Sequence, residues 1–286
     1  MFDAISPSDL ARRPVAGTDA PQRARGRAHV SFDGSGGRSQ LRILRQEGSA
    51  KARLPAVPAG APPEIVLMNT AGGMTGGDHF RYEIELESGA AATVTTPASE
   101  RIYKSAGGNA RVETVLRVGD GCTAEWMPQE TILFDRGRLD RRLIVSLAAD
   151  TVLLAVESVI LGRLAHGEAV RQGYLRDRWH VSRAGRLLFA DATLLDGPIA
   201  DIVAAPAILG GNIAYATLVY AAPDATRQRD RLRETFGDTR DVGFSVRDGA
   251  LIGRFIAMDG FALRGLLVPA LAVVRDGRPL PRVWTC

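Results

Sequence analysis

From residue 25 onward, hydrophobic and polar residues alternate with a period of two along most of the chain. Such alternation describes β-strands that turn one face to a core and the other to water. Ala28, Val30 and Phe32 alternate, Gly34-Ser35-Gly36-Gly37 supplies a turn, and Leu41-Arg42-Ile43-Leu44 returns as a second strand. A loop over 47–63 carries four prolines, at 55, 58, 62 and 63, and Ile65-Val66-Leu67-Met68 then opens a buried strand. Three later segments repeat one plan of alternating strand, tight polar turn and second strand. They run from Tyr82 to Thr96, from Glu113 to Trp126 and from Leu143 to Glu157, with turn centres near residues 89, 120 and 150. A period of about 30 residues built from β-hairpin chemistry predicts stacked coils or layers of sheet. An ordinary antiparallel sandwich with evenly spaced strands is the alternative, and both are all-β.

Further strands are expected at 174–181, 187–195 and 213–219. Helical spacing appears only late. One helix starts at Pro223-Asp224 and stops at Gly237; Asp259 caps a second through Leu267, which Pro269 kinks or restarts. Between them, 242–256 alternates as a hairpin about Asp248-Gly249. The fold class is therefore mainly β: a stacked β-hairpin, β-helix-like or sandwich body of many short strands, with two helices in the C-terminal part. Residues 1–24 mix Pro, Asp, Ser and Arg without period and read as a flexible tail. No composition shift marks a linker after them, so 25–286 is expected to be one domain.

Composition narrows the function. The 286 residues are 45% hydrophobic, which suffices for a packed core. The net charge of +4 suggests nucleic acid, but 34 of the 36 basic residues are arginine, and they are interleaved with acids as in Arg176-Asp177-Arg178. No basic block exists and aromatics make up only 6%, which is poor for base stacking. Two cysteines, Cys122 and Cys286, are too few for a disulfide framework, and no apolar run approaches a membrane span. No secretion signal is readable in the first residues, so a reducing cytoplasmic setting is expected.

Catalytic constellations are mostly missing. The string Gly72-Gly73-Met74-Thr75-Gly76-Gly77-Asp78 is glycine-rich, but a phosphate-binding loop ends in Gly-Lys-Ser/Thr and opens a helix. Here Asp78 stands in the lysine's place and a strand follows, so a glycine-specified connection between strands is the better reading. His29, His79, His166 and His180 are not spaced as metal ligands on a helix. Glu157 is oddly placed, directly after the apolar run Val152 to Val156. Burial there requires a partner such as Arg163 or a bound cation, and composition favours an ion pair. His166 and Glu168 lie on the same segment. Trp126 to Asp135 lacks helical spacing and reads as core or interface.

Five strings in order resemble the urease accessory protein UreD family, called UreH in some organisms. They are Asn69 to Asp78; Thr95 to Ser105, with Tyr103; Trp126-Met127-Pro128-Gln129-Glu130; Leu161-Gly162-Arg163 with Gly167-Glu168; and Pro281 to Trp284. The resemblance covers about residues 25–286. It implies a non-enzymatic maturation factor that binds apo-urease and recruits UreF and, through it, the GTPase UreG, to insert nickel. It also implies a mostly β fold with two helices and nickel transit along interior polar residues. Asp78 and Glu157 fall at acidic positions of the family pattern, with Glu168 as a third candidate, and Gly72, Gly73, Gly76 and Gly77 belong to the signature loop. No tightly bound cofactor is implied, only transient Ni2+. There are departures: His79 follows the loop aspartate, Glu100 stands where relatives often carry a small residue, and Asn69-Thr70-Ala71 stands where some relatives have His-Pro-Pro. The last removes an imidazole from the loop. Two other classes compete. A β-solenoid enzyme on polysaccharide needs paired carboxylates and aromatic platforms, and the three tryptophans and five tyrosines are scattered. A generic β interaction module would have no metal role.

Overall fold

The computed structural model describes residues 22–163 and 167–285. The expected tail lies outside the described residues as far as residue 21, and so do His166 and Cys286. Of the tail's last residues, Ala24 is already fixed, its N–H donating to Asp78 Oδ1 at 2.7 Å.

The chain begins with the expected hairpin, β1 (Arg25–Asp33) and β2 (Gln40–Gly48), followed by β3 (Ala50–Arg53) and β4 (Glu64–Asn69). The short β3 falls in the segment expected to be loop. Three coils come next. The first contains β5 (His79–Glu87), β6 (Ala91–Thr95) and β7 (Glu100–Ile102), and the second β8 (Ala110–Val118), β9 (Thr123–Met127) and β10 (Thr131–Leu133). In the third, β11 (Arg138–Leu147) leads to the long β12 (Val152–Leu161), which lies first beside β9 and then beside β10.

The turns near residues 89, 120 and 150 are not hairpins. β5 does not pair with β6, nor β8 with β9, nor β11 with β12. Each strand instead runs parallel to its counterpart one coil away, with Tyr82, Thr114 and Leu143 in register in one sheet and Val94 and Trp126 in the other. Alternation fits both arrangements; repetition decides between them, because like segments stack on like. The corners stack as well. Gly89 N–H donates to the carbonyl of Asp120, and Gly121 N–H to the side chain of Asp150.

β13 (Gly173–Arg183) adds to β11 in parallel, and β14 (Arg186–Gly197) folds back on it. A six-residue helix that alternation gave no hint of, α1 (Ile199–Ala204), precedes β15 (Ala214–Ala221), which pairs antiparallel with β12. The C-terminal part holds α2 (Ala225–Phe236), the hairpin β16 (Val242–Arg247) and β17 (Ala250–Ala257), and α3 (Gly260–Val274). Both expected helices are present. Gly237 ends α2, Asp259 accepts from Ala262 N–H to cap α3, and α3 passes through Pro269 without a break.

The result is three layers. A seven-stranded sheet (β14-β13-β11-β8-β5-β1-β2) faces a larger one (β16-β17-β15-β12-β9-β6-β4-β3) across the main core, which includes Phe80, Ile84, Leu143 and Trp179. α2 and α3 cover the far side of the larger sheet over a second core that includes Leu218, Phe255, Leu267 and Leu271. β12 lies between the two cores and is buried on both faces, hence its near-continuous apolar run. A buried cluster fastens the helical layer: Arg275, just after α3, donates twice to Glu125 of β9, and Arg278 Nη2 and Thr93 Oγ1 donate to the same carboxylate.

Candidate functional site

The coil corners and the glycine loop enclose a cavity of about 250 Å³ between the sheets. Its polar lining includes Asn69, Glu100, Gln129, Thr131, Arg141 and Glu157. The last two are charged residues at inward positions. Arg141 interrupts the apolar phase of Leu139, Leu143 and Val145, as Asp177 does between Leu175 and Trp179 and Glu157 between Ala155 and Val159. All three are buried.

Their geometry is unequal. Arg141 grips Asp177 with two N–H groups, Nε to Oδ1 at 3.1 Å and Nη2 to Oδ2, and donates Nη1–H to Thr131 Oγ1 at 3.0 Å. Glu157 Oε1 accepts from Trp126 Nε1 at 3.0 Å. Glu157 Oε2 lies 3.3 Å from Arg141 Nη2 but accepts no hydrogen bond. One guanidinium therefore faces two buried carboxylates, leaving one negative charge in excess unless a proton or another cation joins them. Burial works against Arg141's charge, yet Asp177 and Glu157 raise its pKa above the ordinary arginine value. Burial raises the pKa of Glu157 despite Arg141, and Asp177 raises it further. The partner of Glu157 is thus Arg141, not Arg163.

Glu100 lines the same cavity. Burial pushes its carboxyl up to about 7, against the hydrogen bonds it accepts from Asn69 Nδ2. In the unfolded chain it titrates near 4.5. Between those values the folded state holds the extra proton, so this group's contribution falls as pH rises from about 4.5 to about 7. Glu100→Gln should match the wild type near pH 4.5 and gain stability relative to it by pH 7.5. Urea unfolding at both pH values checks this; a difference that stays constant with pH would count against it.

Beside the cavity lies a second, more open hollow of about 630 Å³, lined by Asp78, Thr75, Tyr103, Arg23 and Arg25. Gly73 and Met74 form a wall common to both. Gly73 has φ +130, and a Cβ there would sit 2.4 Å from the Tyr103 ring. At Gly76 a Cβ would meet Ser105 Oγ at 1.9 Å. The loop needs glycine for close approach, as expected of a connection between strands. Asp78 is buried and serves it structurally: Oδ1 accepts from Ala24 N–H and Oδ2 from Thr75 N–H. Glu168 lines neither hollow. Its Oε2 accepts from Arg163 Nε at 2.8 Å and its Oε1 from Asp135 N–H, while Arg163 also covers the Phe134 ring. Asp78, Glu157 and Glu168 thus do not share a site. Among the described residues, no three His, Cys, Asp or Glu side chains come together as a metal-binding group.

The family described as UreD urease accessory protein matches residues 24–285. The chain belongs to the UreD family. Urease accessory protein UreD of Rhizobium leguminosarum bv. viciae is 45% identical over 270 residues, 94% of this chain and 98% of that protein. Its namesake in Azorhizobium caulinodans is 43% identical over 271 residues, 94% and 99% of the two chains. That of Agrobacterium fabrum is 43% identical over 263 residues, 92% of each. As a UreD protein the chain has a role in urease maturation. The UreD strings converge in space: Gly72, Gly73, Trp126, Pro128 and Gln129 line the inner cavity, whereas Asp78 and Tyr103 line the outer hollow. Gly162 and Arg163 lie just beyond β12. Glu100 supplies the cavity's second carboxyl.

Sequence reading missed Arg141 and Asp177. A signal existed, since each interrupts the apolar phase of its strand just as Glu157 does.

Proposed function

We propose that the chain is a non-enzymatic urease maturation factor. It binds apo-urease, recruits UreF and, through UreF, UreG, and passes nickel through its interior to the urease site. It works in the cytoplasm, and Ni2+ is its cargo rather than a resident cofactor. Beyond family membership, the observation that supports this reading is the excess of buried carboxylate around Arg141. A polar interior with one uncompensated negative charge suits a transient divalent cation. Oxygen ligands hold nickel more loosely than imidazole or thiolate, which favours passage over storage. The proposed route enters at Asp78, passes the Gly73–Met74 wall and continues to Glu100 and Glu157. Glu168, tied to Arg163, is not a step in it.

The proposed UreF surface is the outer side of α3. This helix is apolar nearly all round, and a helix of that kind is normally buried. Here Phe261 is 88% exposed and Met258, just before it, 70%. The helix's one charge, Arg264, donates to Gln129 Oε1 in the cavity lining and packs over Trp284, so it does not break up the apolar face. The same link ties the docking helix to the cavity.

Co-purification with UreF and apo-urease tests the reading. The wild-type chain should capture both, and Phe261→Glu should weaken UreF capture about thirtyfold, as loss of a central apolar anchor does. Soluble proteins that do not associate would overturn the scaffold role, and undiminished capture by the variant would overturn the α3 assignment.

A further inference from the structure

The outer face of the seven-stranded sheet is ruled into rows by its parallel register. One row reads Arg25, His79, Arg111, Asp140 and Arg176 across β1, β5, β8, β11 and β13. The next reads Arg27, Arg81, Glu113, Arg142 and Arg178. Strands about 4.8 Å apart make each row about 20 Å long. The charges of the second row are compensated by its own Glu113 and by carboxylates of the rows beside it, Glu83 and Asp140. Arg27 and Arg81 bind Glu83, Arg81 and Arg142 bind Glu113, and Arg178 binds Asp140.

The first row is not compensated. Its only carboxylate, Asp140, is taken by Arg178. Among the described residues, Arg25, Arg111 and Arg176 have no ion-pair partner, and all three are exposed. Arg25 and Arg111 stand on either side of His79 in this row. A depression of about 250 Å³ lined by His79, Arg111, Glu113, Asp140, Arg142 and Arg178 lies where the two rows meet.

We infer that this face docks a carboxylate-rich protein surface, and that it is the face that meets apo-urease; the second clause rests on the reading above. A protein surface fits better than nucleic acid, because Glu113 and Asp140 interrupt the arginines, a pattern that carboxylates at discrete positions can match and a continuous phosphate backbone cannot. A free anion would not need 20 Å of repeated arginine. The band is also on the opposite side of the body from α2 and α3. The chain can therefore hold one partner by charge and another by its apolar helix at the same time.

The test uses the full chain and purified apo-urease, with affinity measured at 50 and 300 mM NaCl. Arg111→Gln with Arg176→Gln keeps the side-chain stems and removes two unpaired charges. Capture should weaken about tenfold at low salt, and the wild type's salt dependence should shrink in the variant. Arg240→Gln with Arg247→Gln changes net charge equally but lies on β16 and the segment just before it, outside the band, and it should bind as the wild type does. Melting temperatures confirm that both variants fold. Wild-type affinity in the first variant, or equal losses in both, would overturn this inference and leave the maturation reading standing. Wild-type chain that fails to capture apo-urease at either salt would overturn both. Binding of RNA or anionic vesicles that is lost in the first variant, with urease capture unaffected, would reassign the face.

Discussion

Replacing Arg141 with leucine is expected to lower the free energy of unfolding by about 3–5 kcal/mol, the cost of removing one partner from a buried ion pair. Arg141 holds Asp177 through two hydrogen bonds and is the only cation close to Glu157 Oε2 among the described residues. Without it two carboxyl groups remain in the core with no counter-charge. Such a loss is a large share of the roughly 5–15 kcal/mol that usually separates folded from unfolded protein. Urea titration should show an earlier midpoint at unchanged slope. Adding Asp177→Asn and Glu157→Gln to the same chain neutralises both orphans and should recover much of the loss. A single variant less than about 1 kcal/mol below wild type would show that water already screens the cluster.

Much of this fold is legible in the alternation and in the 30-residue spacing, because each coil repeats the same buried phase. The helices are legible from their ends, at Asp224, Gly237 and Asp259. Hairpin and arc are not distinguishable from a two-residue period, since both satisfy it. That ambiguity hides the site. A hairpin would set β12 beside β11 in one sheet, whereas the arc sets them face to face across the core, which is how Glu157 meets Arg141. Arg163 looks like the nearer candidate in sequence, yet it turns outward to Glu168. α1 is too short to leave a helical period. The cavity itself joins corners of different coils, so its lining becomes a unit only after stacking. Gly73 and Gln129 are each visible in the sequence, but their shared enclosure is not.

The second large effect is expected at Glu157. Glutamine there keeps the size and the hydrogen bond from Trp126 Nε1 while removing the excess buried charge. Because Arg141 retains Asp177, stability should hold or rise slightly. Asp78→Ala is a less clean probe, since it also removes the acceptor for Ala24 and Thr75 N–H. If the uncompensated carboxylate is what receives nickel in passage, Glu157→Gln uncouples folding from delivery. The expected fall is about tenfold, the lower end of what altering one group around a metal costs.

The direct test is the nickel content of urease isolated from cells whose only copy of this chain carries Glu157→Gln. Those cells should contain wild-type amounts of both proteins, with intact association with UreF and apo-urease, and urease with about one tenth of the normal nickel and activity. Urease fully loaded with nickel in those cells would contradict nickel passage by way of Glu157.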